Sequence, residues 1–202
     1  RGLGDVYKRQ GGKVLWFPER DCYASQTVGG LFQTDYWNYR MFETISRNNR
    51  KPVSPGTMGL LIDPSHPLFR SFPTDFHTNW QWFPIVKQSY PLILDYFPKG
   101  YRPIVQVIDN IERNHKLGLI FELAVGKGKL LVCMSNLEAV DDKPEVRQLY
   151  CSMLDYMASG DFNPKTAVSS GELVRLLRIR PEETKREELR NCLLYTSPSP
   201  RD

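Results

Sequence analysis

The sequence predicts a three-layer α/β domain with a largely parallel sheet, an antiparallel edge, and a cut on its N-terminal side. Three observations predict it. Short apolar runs bounded by Gly, Pro, Asp or Asn recur as strand candidates. Helical periods alternate with them, and two apolar runs flanking Gly126-Lys127-Gly128 read as a hairpin near the end of the series.

Lys13 to Phe17 (KVLWF), after Gly11-Gly12 and before Pro18, reads as a buried strand. Tyr36, Tyr39, Met41, Phe42 and Ile45 recur near helical spacing and predict a helix, which Pro52, Pro55 and Gly56 break. Gly59 to Ile62 is a second short apolar piece, stopped by Asp63-Pro64. Between Phe72 and Phe83 the pattern alternates. Phe72, Thr74, Phe76, Thr78, Trp80 and Trp82 share one parity, and Asp75, His77, Asn79 and Gln81 the other. An extended segment with this pattern has an aromatic face that packs and a polar face that is wet or holds a ligand.

Strands follow at Pro91 to Leu94 and at Ile104 to Ile108, the latter preceded by Pro103 and closed by Asp109-Asn110. Leu117 to Val125 and Lys129 to Met134 form the hairpin. Pro144 to Met157 is the clearest helix. Pro144 suits the first helical position, Glu145 complements the first-turn dipole, and Val146, Leu149, Tyr150, Met153, Leu154 and Met157 make one apolar stripe. Gly160 ends it. Ser169 followed by Glu172 is a capping-box pattern leading into another helical stretch, and from Pro181 the charged run EETKREELR reads as a solvated helix face.

Of the 202 residues, 41% are apolar and 25% charged, the composition of one soluble globular domain, with a tail. No apolar stretch is long enough to cross a bilayer, and no signal peptide is visible. A net charge of +4 without a basic cluster argues against a nucleic-acid partner.

The two ends look foreign to the domain. Codons for Arg1 to Gln10, CGT GGG CTC GGA GAT GTG TAT AAG AGA CAG, reverse-complemented and shifted by one base, translate as CLLYTSPSPR. That is Cys192 to Arg201. The shared DNA segment resembles the transposase adapter of sequencing libraries, so residues 1–10 and 192–202 are expected to be assembly scars outside the fold. The expected organisation is then an α/β domain over 11–165, itself partial, and a helical tail over 166–191. Residues 11–191 carry 23 basic and 21 acidic side chains, and their cysteines are Cys22, Cys133 and Cys151. These have no C-x-x-C spacing, which supports neither a disulfide framework nor a zinc site; no metal and no cofactor is expected.

Candidate chemistry is sparse. The acids Asp21, Asp35, Asp75, Asp109, Glu112 and Glu122 form no pair singled out by spacing for glycosidic hydrolysis. Cys133 in an apolar strand and Cys151 off the helix stripe read as inert, whereas Cys22, after Arg20-Asp21, has the local polarity a nucleophile needs. His66, His77 and His115 would have to converge with acids to bind a metal; on one strand face Asp75 and His77 read rather as a hydrogen-bonded pair. Gly126 to Lys129 lacks the spacing and following helix of a phosphate loop. Trp80 and Trp82 could stack on sugar rings, with Asp75, His77, Asn79 and Gln81 as the polar ligand-binding set, although Phe72 and Phe76 argue for a shared core face. No catalytic residue is assigned.

The run from Gly56 to Ile85 (GTMGLLIDPSHPLFRSFPTDFHTNWQWFPI), the run from Pro103 to Glu138 and the helix ending near LDYMASGDFNP resemble the C-terminal region of gut-bacterial family 2-like, β-galactosidase-like glycoside hydrolases. The resemblance covers nearly all of residues 11–191. It implies a flavodoxin-type, glutamine-amidotransferase-like α/β domain. It also implies a secreted or periplasmic parent whose catalytic glutamates sit on a separate barrel. No barrel motif is present, and neither the amidotransferase Gly-x-Cys-x-Gly turn nor its His-x-Glu pair occurs here. The expectation is a non-catalytic accessory fragment whose partners are the parent's other domains, a glycan or a second copy of itself. The rival expectations are a carbohydrate-binding module using Trp80 and Trp82, and a self-sufficient amidotransferase-like hydrolase using Cys22 or the Asp75/His77 face.

Overall fold

One long strand organises the molecule. In the computed structural model, which describes residues 11–28, 32–33, 48, 56–57, 59–109 and 114–177, the strands are β1 (Lys13–Trp16), β2 (Phe32–Gln33), β3 (Gly56–Thr57), β4 (Leu60–Ile62), β5 (Leu92–Ile93), β6 (Val105–Ile108), β7 (Lys116–Val125), β8 (Gly128–Cys133) and β9 (Ala167–Val168). The described helices are α1 (Phe83–Lys87), α2 (Pro144–Ala158) and α3 (Ser170–Leu176), with short 3-10 turns between elements. The helix predicted at 36–45, the run after Pro181, Asp35, Glu112 and both adapter-like ends lie outside the described residues.

Seven strands form one sheet in the order β1-β8-β7-β6-β4, with β5 and β9 also pairing to the ten-residue β7. Along one edge β7 meets β8 through residues 120–125 and β5 at 117–118. Along the other it meets β6 near its start and β9 at 124–125. Only β1/β8 and β7/β9 are parallel; β4/β6, β5/β7, β6/β7 and β7/β8 are antiparallel. β2 and β3 pair parallel in a separate two-stranded sheet.

The predicted flavodoxin-like, mostly parallel three-layer fold is therefore wrong: the sheet is mixed and mainly antiparallel, with few helices among the described residues. The physical reason lies in how the apolar runs are covered. Glu122 accepts a 2.7 Å hydrogen bond from Tyr156 of α2, which places that helix over one face. Phe121, on the opposite face by strand alternation, meets Phe97 edge-on at 6.1 Å. Burial on both faces erases the in/out alternation of β7 whichever way its neighbours run. The β7–β8 connection is a two-residue turn with Gly126 at φ 60°, the positive angle that glycine supplies in hairpins.

The predicted hairpin and the strands at 13–17, 91–94 and 104–108 are present. β1, expected to be buried, lies at the sheet edge and is only half covered. On α2 the buried residues are Val146, Leu149, Ser152, Met153, Tyr156 and Met157. The expected stripe is thus rotated: Tyr150 and Leu154 are each 42% exposed. Ser152 reaches the core because its hydroxyl donates to the Leu68 carbonyl. The Lys13 ammonium donates to the Met157 carbonyl at 2.5 Å, tying β1 to the helix's C-terminal end. Ser169 caps α3 as its sequence predicts, accepting from the Glu172 N–H at 3.1 Å. One apolar core runs from Val28 to Leu177.

Candidate functional site

The segment from Phe72 to Phe83 is not a strand. It bends, makes a 3-10 turn at Trp80–Trp82 and enters α1. The aromatic parity is broken accordingly. Phe72 and Trp82 are buried and meet at 5.2 Å, whereas Phe76 is 65% and Trp80 81% exposed. Residues two apart in a 3-10 turn point in different directions, so the pair expected to share one face is split between core and solvent. The Trp82 indole N–H is satisfied inside by the Thr74 hydroxyl at 2.7 Å.

Trp80 lies outside, stacked on Phe83 at 5.2 Å with planes 13° apart. That offset pair holds the indole flat and leaves its outer face open to water. The polar set around it is largely engaged with itself. Asn79 donates to the Asp75 carboxylate at 3.2 Å, Gln81 to the Pro73 carbonyl at 2.9 Å, and His77 Nδ1 lies 3.0 Å from the Thr78 carbonyl. The expected Asp75–His77 pairing on a common strand face is absent, because that face does not exist. Asn79 Oδ1 is buried without a hydrogen-bond partner.

A cleft of about 1060 Å³ opens where β1 and β8 end. The two strands are parallel, and their carboxyl ends deliver Phe17 to Arg20 and Ser135 to Glu138 to the same rim. The start of α2 supplies Arg147 and Tyr150, and the end of α1 supplies Lys87 and Gln88. Phe17 and Tyr150, both partly exposed, face each other at 6.2 Å. Below the rim, buried Tyr90 donates to the Pro18 carbonyl at 2.7 Å and fixes the exit of β1. Its burial, the nearby Cys133 and, in opposition, Arg20 leave its phenol above the ordinary range. Lys87 also sits 5.9 Å from the Phe83 ring, so the Trp80 stack adjoins the cleft rim.

The candidate nucleophiles and ligands fall apart. The exposed Cys22 thiol donates to the Glu19 carboxylate at 3.8 Å, and no histidine lines the cleft beside that carboxylate. Cys133 is buried, which pushes its thiol up to about 12. His66 caps a 3-10 turn and packs on Tyr156, and burial lowers its basicity. His115 is held by Asp95 at 2.7 Å on another part of the molecule. None of the three histidines lines the cleft. Among the described residues no group of three or more His, Cys, Asp and Glu could hold a metal ion. Glu122 is half-buried under α2, where desolvation raises its carboxyl against the hydrogen bond from Tyr156 and the nearby Lys129. No described helix is long and apolar enough to cross a membrane.

Sequence reasoning missed the cleft. The signal was present in the strings PER after KVLWF and SNLE after KLLVCM, each following a strand. Adjacency of β1 and β8 is what joins them. No curated protein matches the chain. The sequence matches DUF8487, a domain of unknown function, over residues 7–178. With that match spanning most of its length, the chain belongs to the DUF8487 family.

Proposed function

We propose that this chain is a non-catalytic C-terminal accessory domain of a family 2-like glycoside hydrolase, and that it meets the parent enzyme's glycan through Trp80. The single observation that carries the reading is the open indole face of Trp80, held flat by Phe83 and 81% exposed. Apolar pyranose faces lie well on such a surface. The sequence resemblance supplies the parent: an exported, multidomain glycosidase whose bond-breaking carboxylates lie on another domain, with which this one packs. Self-association would multiply the platforms. The two-tryptophan version is withdrawn, because Trp82 is in the core. The amidotransferase-like hydrolase is withdrawn with the fold that suggested it.

The test is affinity electrophoresis of the purified chain through gels containing neutral polysaccharides, alongside a reducing-sugar assay. Expected is retardation in at least one gel, its loss in Trp80→Ala, and no release of reducing ends. Equal mobility of both proteins in every gel contradicts the reading, as does turnover by the purified chain.

A further inference from the structure

We propose that the cleft at the carboxyl ends of β1 and β8 is a second binding site, for a short neutral oligosaccharide. Three cations, Arg20, Lys87 and Arg147, line the cleft together with three acids, Glu19, Glu138 and Asp141. Among the described residues none of the six forms an ion pair with another. The only hydrogen bonds their side chains make there are from Arg147 to the Asp141 carbonyl at 2.9 Å and from the Cys22 thiol to Glu19. Arg147 also faces Asp142 and Lys87 the Phe83 ring, yet three cations and three acids around one opening offer donors and acceptors in similar number.

An anionic ligand would gain from the cations and lose to the acids, and a cationic one the reverse. A ligand rich in hydroxyl groups suits both sets, because each hydroxyl donates to a carboxylate and accepts from a guanidinium or ammonium. The amides add to this. Asn136 uses its carbonyl oxygen on the Ala139 N–H at 3.3 Å, which leaves its NH₂ for a ligand, and Gln88 stands beside it. Phe17 and Tyr150, at 6.2 Å with planes 33° apart, supply apolar surface for a ring to lie on. The size fits as well, since about 1060 Å³ is at the upper end of small-molecule sites and exceeds what a single sugar ring fills.

This site is independent of the Trp80 platform, and its test separates the two. The full chain is titrated by calorimetry with maltotriose, cellotriose, xylotriose and the acidic trigalacturonate, at low and at high salt. Expected is saturable binding of at least one neutral trisaccharide, changed less than about twofold by salt because no net charge is neutralised. The titrations are made in the Trp80→Ala background, where the platform contributes no heat, and there Tyr150→Ala and Arg147→Gln should each weaken the binding about tenfold or more. Tyr150 is 42% exposed, so its variant should keep the wild-type near-ultraviolet circular dichroism apart from the lost tyrosine. Preferential, salt-sensitive binding of trigalacturonate overturns the neutral class. Binding that survives Tyr150→Ala and Arg147→Gln in folded protein, or no binding by any neutral member, overturns the site itself.

Discussion

The hairpin Lys116–Cys133 and the segment Phe72–Phe83 both look β-like in sequence, yet only the hairpin is β-structure. The hairpin's run is apolar without alternation; the segment alternates almost perfectly. What separates them is where their backbone hydrogen bonds go. β7 is paired along both edges by β5, β6, β8 and β9. Among the described residues the 72–83 segment pairs with no strand; it lends the Phe76 carbonyl to Ile62 N–H at 3.0 Å and makes further contacts through turns and its own side chains. Side-chain period is thus a weaker determinant here than access to a pairing partner. Pro73 and Pro84, which bracket the segment, each remove a donor that a ladder would need.

The largest expected effect sets Trp82 against Trp80. Trp82→Ala empties a fully buried site against Phe69 and Phe72 and should cost about 3–5 kcal/mol in urea unfolding. Trp80→Ala should stay within ~0.5 kcal/mol, as surface changes do. Equal costs would restore the alternating strand and remove the contrast between the two regions.

On the hairpin side, Gly118→Ala should destabilise by about 1–3 kcal/mol. A Cβ there would stand 2.5 Å from Leu94 Cδ1 and 3.0 Å from Phe121 Cδ1, both in buried side chains. An unchanged urea midpoint would mean that β7 is packed less tightly than its double coverage implies. Thr74→Val, which deprives the Trp82 indole N–H of its acceptor, should cost about 1 kcal/mol in the same measurement.

The smallest expected effect is a change in pH dependence. Burial leaves the Glu122 carboxyl above its ordinary value. The folded protein therefore holds that proton over an interval where the unfolded chain has lost it. Stability falls as pH rises from the unfolded carboxyl value, about 4.3, through the folded one. Glu122→Gln keeps an acceptor for Tyr156 and should flatten that part of the stability profile, measured as thermal midpoints between acid and neutral pH. An unaltered profile would assign the slope to other groups.

Much of the local structure was legible in the sequence. KVLWF, IVQVI and the runs around Gly126 are strands, and Pro144 and Ser169 mark helix starts as capping chemistry requires. Strand direction was not legible, because a run buried on both faces loses the alternation that an antiparallel strand with one wet face would keep. The rotation of α2 depended on the Ser152 hydroxyl finding the Leu68 carbonyl, a contact 84 residues apart that no period encodes. Of the candidate site, Trp80 was legible as a residue and illegible as a surface, since its exposure depends on a 3-10 turn. The cleft was illegible because its walls come from four separate stretches of chain, united by the β1/β8 pairing and by contacts such as Tyr90 to Pro18 and Asn136 to Gln88 that no local pattern encodes.

The most direct test follows the indole N–H resonances of the purified chain during titration with neutral oligosaccharides, with reducing ends assayed in the same samples. The account requires the Trp80 resonance to shift saturably, the Trp82 resonance to stay fixed beside Thr74, and the reducing-end count to stay constant. A Trp80 resonance that never moves, or a rising count of reducing ends, contradicts it.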